Sequence, residues 1–189
     1  MATVTPPQAG ERLLTAEEFA RRPDPGHPEE LVKGRVVAMP PPRARHGQVC
    51  AQLVFLLRLY LQDRDLGHVL SNDSGVVTER GPDSVRGPDV SYYAYAKLPK
   101  GPLPNEYPGV PPDAVFEVLS PHDRWLKVLA KVAEFLEAGV GVVVVLDPER
   151  RVVQVFEPNQ PVRSLAEGDV LTLPDVLPEF RVALARLFE

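Results

Sequence analysis

Apolar positions along the chain recur with two spacings. Two stretches carry a helical stripe. In "HGQVCAQLVFLLRLYLQDRD", Val49, Leu53, Leu56, Leu57 and Tyr60 fall on one side of a helix about four turns long, with Gly67 beyond it as a stop signal. In "SPHDRWLKVLAKVAEFLEAG", Leu126, Leu129, Ala133 and Leu136 form the inner stripe. There Ser120 suits the cap, Pro121 the first turn, Asp123 completes an S-x-x-D box and Gly139 ends the helix. A short helix is expected at "LTAEEFARR", with Thr15 as N-cap and Glu17 and Glu18 in the first turn.

The remaining apolar segments are short enough for strands. "EELVKGRVVAMP" predicts two strands joined at Lys33-Gly34, and "HVLSND", "GVVTER" and "DVSYYAYA" predict three more. "DAVFEVLS" and "GVVVVLD" are continuous apolar runs, as expected of strands buried on both faces. With a helix between them they should lie parallel, through a right-handed crossover. "RRVVQVFEP" should return as a hairpin through residues 147–150, and a strand near "DVLTL" and a helix at "VALARLFE" should close the chain. The fold class is therefore α/β, or mixed α+β, with a central mixed β-sheet flanked by helices.

A length of 189 residues suits one domain with its own core. The 22 prolines cluster in joints such as "TPPQ", "RRPDPGHPEE", "MPPPRAR" and "KLPKGPLPNEYPGVPPD", which mark connectors within that domain. We expect a single domain over residues 1–189, its core at about 14–158, with the strand and helix of 159–189 packed on it.

A net charge of −5 argues against a broad duplex-gripping surface and leaves room for a local basic groove. Cys50 is the only cysteine, so no intrachain disulfide forms, and the four histidines and one cysteine are scattered with no zinc-ligand spacing. The opening residues have no signal-peptide pattern, and the longest apolar run, "GVGVVVVLD", is too short to cross a bilayer. The expectation is a cytoplasmic protein without a membrane anchor.

Glu117 raises the chemical question. It sits in "DAVFEVLS" among Val115, Phe116, Val118 and Leu119, where an unpartnered carboxylate is costly. Asp89, in "RGPDVSYY", also sits on what reads as a strand. If the two strands are neighbours, both carboxylates converge at one sheet edge, an arrangement suited to Mg²⁺ or Mn²⁺. Lys131, 14 positions after Glu117, lies on the helix leaving that strand, and Lys127 shares its helix face. A lysine there can orient water and stabilise charge on a phosphate. Plainer readings stand beside these. "GPD" suits a turn, Glu117 suits a salt bridge, and Lys131 suits a solvated residue paired with Glu134. Glu30 suits an exposed strand acid, and His46 suits a helix start.

These residues occur within motifs that resemble one family. "LTAEEFARRPD", "EELVKGRVVAMPPPRARHG", "RGPDVSYY", "DAVFEVLSPHDR", "KVAEFLEAGV" and "VVVVLDPERRVVQVF" resemble, from about Leu14 to about Pro158, the Uma family of restriction-endonuclease-like proteins. That family is similar to a branch of the PD-(D/E)xK nuclease superfamily. The resemblance implies a restriction-endonuclease-like fold and an acid–acid–lysine site. Asp89 and Glu117 would bind the metal, and Lys131 would be the catalytic lysine displaced onto the helix. Glu30 would be a further acid, and His46 would lie near the site. It also implies a nucleic-acid substrate, DNA foremost, and a homodimer for duplex cleavage. The chain departs from the family in having Lys33 and Arg35 where acids are usual, and "GVGVVVV" in place of G-V-P-E-Y-W.

Three functions follow for test: a metal-dependent nuclease, a non-catalytic nucleic-acid-binding or regulatory protein retaining the nuclease fold, and a metal-dependent hydrolase of small phosphoesters.

Overall fold

The computed structural model describes residues 12–189. The expected connector "TPPQ" lies outside them. The elements are α1 (Ala16–Ala20), β1 (Glu29–Val32), β2 (Arg35–Ala38), α2 (Ala44–Leu61), β3 (Gly67–Ser71), β4 (Val76–Glu79), β5 (Ser84–Arg86), β6 (Val90–Ala94) and β7 (Ala114–Val118). They continue with α3 (Trp125–Glu137), β8 (Val142–Asp147), β9 (Val152–Phe156), β10 (Arg163–Leu165), β11 (Val170–Leu173), β12 (Leu177–Ala183) and α4 (Leu184–Leu187).

A six-stranded sheet, ordered β10-β9-β8-β7-β6-β3, forms the centre. It is mixed: β7 and β8 run parallel, as the intervening helix requires, while β6 pairs antiparallel with β7. Alternation along β7 divides the core. Ala114, Phe116 and Val118 face a cluster built with Val49, Leu53 and Leu57 of α2. Val115 faces the other way, with Val132 and Phe135 of α3. Residues Leu171, Leu173, Leu177, Phe180, Leu184 and Leu187 join the α2 side, so the C-terminal segment packs into the same core as the central sheet. A four-stranded antiparallel sheet, β2-β1-β5-β4, touches the α3 side through Val76.

Local chemistry accounts for several elements as expected. Thr15 and Glu18 form a reciprocal capping box on α1. Lys33 and Gly34 both adopt positive φ, 49° and 76°, the backbone of a tight hairpin turn between β1 and β2. Asp147 closes the β8–β9 turn by accepting from the amides of Glu149 and Arg150, each at 3.0 Å.

Other expectations are corrected. Helix α3 starts at Trp125, and its N-cap is Arg124. Ser120 and Asp123 instead form a separate turn, in which the Ser120 amide donates to Asp123 at 2.7 Å. The inner face of α3 is correspondingly rotated. Val132 and Phe135 are buried, Leu126 is 81% exposed, and Ala133 faces out. Helix α2 begins at Ala44 and ends at Leu61, and Gly67 opens β3 where a helix stop was expected. Gly67 is required by close approach, since a Cβ there would lie 2.2 Å from the Tyr93 carbonyl. The terminal helix expected at "VALARLFE" is shortened at its start, because Val182 and Ala183 belong to β12. "LPEFRVA" alternates in burial as β12 and pairs with β11, leaving only Leu184–Leu187 helical. The short strands β5 and β10 have too few residues to show a period.

Candidate active site

The candidate residues arrive from five elements. Glu30 comes from β1, His46 from the first turn of α2, and Asp89 from the step before β6. Glu117 comes from the end of β7 and Lys131 from the middle of α3. Strand alternation explains Glu117: it shares the face of Val115, which is the face covered by α3. Lys131 lies beside Val132 and Phe135 on the inner side of α3, so its ammonium reaches inward. Lys127 is exposed.

The Lys131 ammonium sits between two acids. It lies 2.9 Å and 3.1 Å from the two oxygens of Glu117, and 3.1 Å from Glu30 Oε1. It also donates to the Gly87 carbonyl at 3.3 Å. Of its contacts to the Glu117 carboxylate, only that to Oε2 is directed as a hydrogen bond. Oε1 makes an ion-pair contact and is otherwise a buried oxygen without a hydrogen-bond partner. Glu30 is 5% exposed, and its default reading as an exposed strand acid is overturned. It accepts from Arg86 Nη1 at 2.9 Å and from the Gly87 amide at 3.1 Å.

Asp89 is held from both sides. Its Oδ1 lies 2.9 Å from His46 Nε2, and its Oδ2 accepts the Val118 amide at 2.6 Å. The latter bond ties Asp89 to the residue next to Glu117 and brings the two acids to one end of the central sheet. The other ring nitrogen of His46 lies 3.5 Å from Ser120 Oγ.

The charges respond to this crowding. Burial raises the Glu117 carboxyl from 4.5 to about 8; Asp89 adds to the rise and Lys131 opposes it. Burial pulls the Lys131 ammonium down, but Glu117 and Glu30 outweigh it and the group is held above its usual range. Glu30 is also pushed up by burial, yet Lys131 and Arg86 leave it below the usual carboxylate range. The hydrogen bond to Asp89 raises His46 from 6.5 to about 10.

Three participants were not anticipated. Arg86 bridges Glu30 to Glu134, which it grips through Nε and Nη2 at 2.9 Å and 2.6 Å. Glu134, also bonded by Thr78, therefore pairs with Arg86, and its expected pairing with Lys131 is overturned. Asp73 has its carboxyl raised by burial and by Asp89, and its backbone closes on Gly87. Cys50, one turn after His46, completes the set. The basic residue two positions before "PDV" and the i+3 step from Lys131 to Glu134 are visible in sequence, but neither indicates a partner.

Oxygen donors from Asp89 and Glu117, among them Glu117 Oε1, which accepts no directed hydrogen bond, are chemically suited to a hard divalent cation such as Mg²⁺ or Mn²⁺.

A mixed sheet covered by helices, with an acid-rich cluster at one end of its central strands, defines a nuclease-like α/β protein by fold. The fold is shared with a solved structure described as a "putative nuclease belonging to DUF820" from Anabaena variabilis ATCC 29413. The TM-score is 0.80 and the identity 21%, over 93% of this chain and 97% of that one. The Uma2 family model, described as "Putative restriction endonuclease", matches residues 16–185, and the chain belongs to that family. No curated protein matches it. Among the described residues, no helix is long and apolar enough to cross a membrane.

Proposed function

We propose that this protein is a metal-dependent nuclease that hydrolyses phosphodiester bonds, with DNA as its principal substrate. The observation that carries the reading is the buried Glu117 carboxylate, whose Oε1 accepts no directed hydrogen bond and is ion-paired with Lys131 at 2.9 Å, at the same sheet end as Asp89. A purely structural ion pair does not require a second acid, Glu30, on the same lysine.

Asp89 and Glu117 would hold the ion, which when bound supplies Lewis-acid activation of water and of the scissile phosphate. Lys131 places a fixed positive charge where negative charge builds on the phosphoryl oxygens and orients the attacking water. Glu30 and Arg86 fix the position of Lys131. His46 and the Val118 amide fix the rotamer of Asp89. The chain acts as one domain, and cleavage of both strands of a duplex calls for two such sites, hence a homodimer.

One observation favours the non-catalytic alternative: Asp89 already has a partner at each oxygen. The experiment is cleavage of duplex DNA, single-stranded DNA and RNA at low salt with Mg²⁺ or Mn²⁺. Low salt matters because a chain of net charge −5 holds phosphate backbones weakly. Activity should fall at least about 100-fold in Glu117→Ala and Lys131→Ala. Activity that survives both substitutions, or none on any substrate while Mg²⁺ binds at the acids, would overturn the nuclease reading.

A further inference from the structure

Cys50 lies outside the acid–acid–lysine arrangement, yet it faces it. It follows His46 by four positions on α2, so both side chains project from one helix face toward Asp89. One ligand atom from each of His46, Cys50 and Asp89 lies within 4.8 Å of the other two. No other group of three or more such residues among those described comes together in this way.

We propose that His46, Cys50 and Asp89 form a second metal site, selective for a borderline-soft divalent ion of the zinc class, and that its occupation withdraws Asp89 from the magnesium site. The second half rests on the nuclease reading above; the first does not.

The donor set carries the selectivity. Imidazole nitrogen, thiolate sulfur and carboxylate oxygen are together the ligands of zinc, whereas magnesium does not take thiolate. With zinc–ligand bonds of about 2.0–2.3 Å, tetrahedral ligand atoms lie roughly 3.3–3.6 Å apart, so the His46–Asp89 pair, now at 2.9 Å, opens slightly and Cys50, within 4.8 Å of both, closes by roughly 1 Å at most, a side-chain adjustment. The surroundings are those of a supported site. Ser120 faces the outer ring nitrogen of His46, and the Val118 amide holds the outer oxygen of Asp89. Binding balances in protons: the ion replaces the Cys50 thiol proton and the proton between His46 Nε2 and Asp89 Oδ1, and both leave to solvent. Three protein ligands leave a fourth position for water or a phosphate oxygen. Asp89 cannot serve both ions in one geometry, so zinc at this site opposes magnesium at the other.

The test uses the full chain and two variants, Cys50→Ser and Cys50→Ala. Titration with Co²⁺ should give the wild type a thiolate-to-cobalt charge-transfer band that both variants lack. Competition with a chromophoric chelator should show Zn²⁺ bound at least about tenfold more tightly by the wild type. Absence of the band, or equal Zn²⁺ affinity in all three proteins, overturns the site whether or not the protein cleaves anything. Where Mg²⁺-dependent cleavage is present, micromolar Zn²⁺ should inhibit the wild type and inhibit Cys50→Ser at least about tenfold less. Equal inhibition of both overturns the competition while the spectroscopic result stands.

Discussion

Replacing Glu117 by glutamine removes a charge and keeps the shape. The folded protein holds this carboxyl at about 8, against 4.5 for the free group. Below about 4.5 it is neutral in both folded and unfolded chains and does not affect stability. Between 4.5 and 8 the unfolded chain ionises while the folded one resists, so stability falls as pH rises through that window. Above it both states are ionised, and the whole shift, equivalent to about 5 kcal/mol, has been withdrawn. Side-chain relaxation and water at the partly exposed carboxylate lower that ceiling. Glu117→Gln should therefore be about 1–3 kcal/mol more stable than the wild type near pH 8.5, with the gain vanishing toward pH 5. Urea unfolding in the presence of a chelator, repeated across that range, measures both the gain and its slope. A variant less stable than the wild type throughout, or one whose pH profile runs parallel to it, would refute the reasoning. Glu117 would then be ionised in the folded protein, and its contact with Lys131 would be a stabilising structural pair.

Lys131→Met should have the opposite effect. It strips the shared cation from Glu30 and Glu117 and should cost about 3 kcal/mol at pH 8, recovered in part at pH 5, as urea unfolding will show. His46 should remain protonated through pH 8, since its value is raised to about 10, and Asp89→Asn should return it toward the ordinary range in a proton NMR titration. The stability contributed by the raised His46 value is complete below 6.5 and lost as pH rises through about 10. Gly87→Ala would set a Cβ 2.8 Å from the Asp73 Cβ and 3.0 Å from its carbonyl, and a destabilisation of about 1–3 kcal/mol is expected by thermal unfolding.

Periodicity alone located most of the elements, because burial on one face leaves its period in the residues that supply that face. The apolar runs at β7 and β8 reveal strands covered on both sides, and the helix between them dictates that they run parallel. The motifs, too, were legible, since Glu30, His46, Asp89, Glu117 and Lys131 stand at spacings that resemble one family. The start of α3 was not, because a serine–proline–aspartate run can equally close a turn, and which it does depends on what the following residues pack against. Nor was the fate of "LPEFRVA", whose alternation became a strand only because β11 offers it a partner.

The chain's order of apolar and polar residues thus determined most of the central sheet and its two helical covers, while the set of candidate acids came from the family resemblance. Tertiary structure decided the charges. Lys127 and Lys131 are nearly equivalent in sequence, but the rotation of α3 about Val132 and Phe135 sends one to solvent and the other between two carboxylates. Glu134 is three residues from Lys131, yet Arg86, from a strand 48 positions earlier, takes it. Ion pairing depends on separation through space and on loss of water, and neither quantity is written in the spacing of residues along a chain.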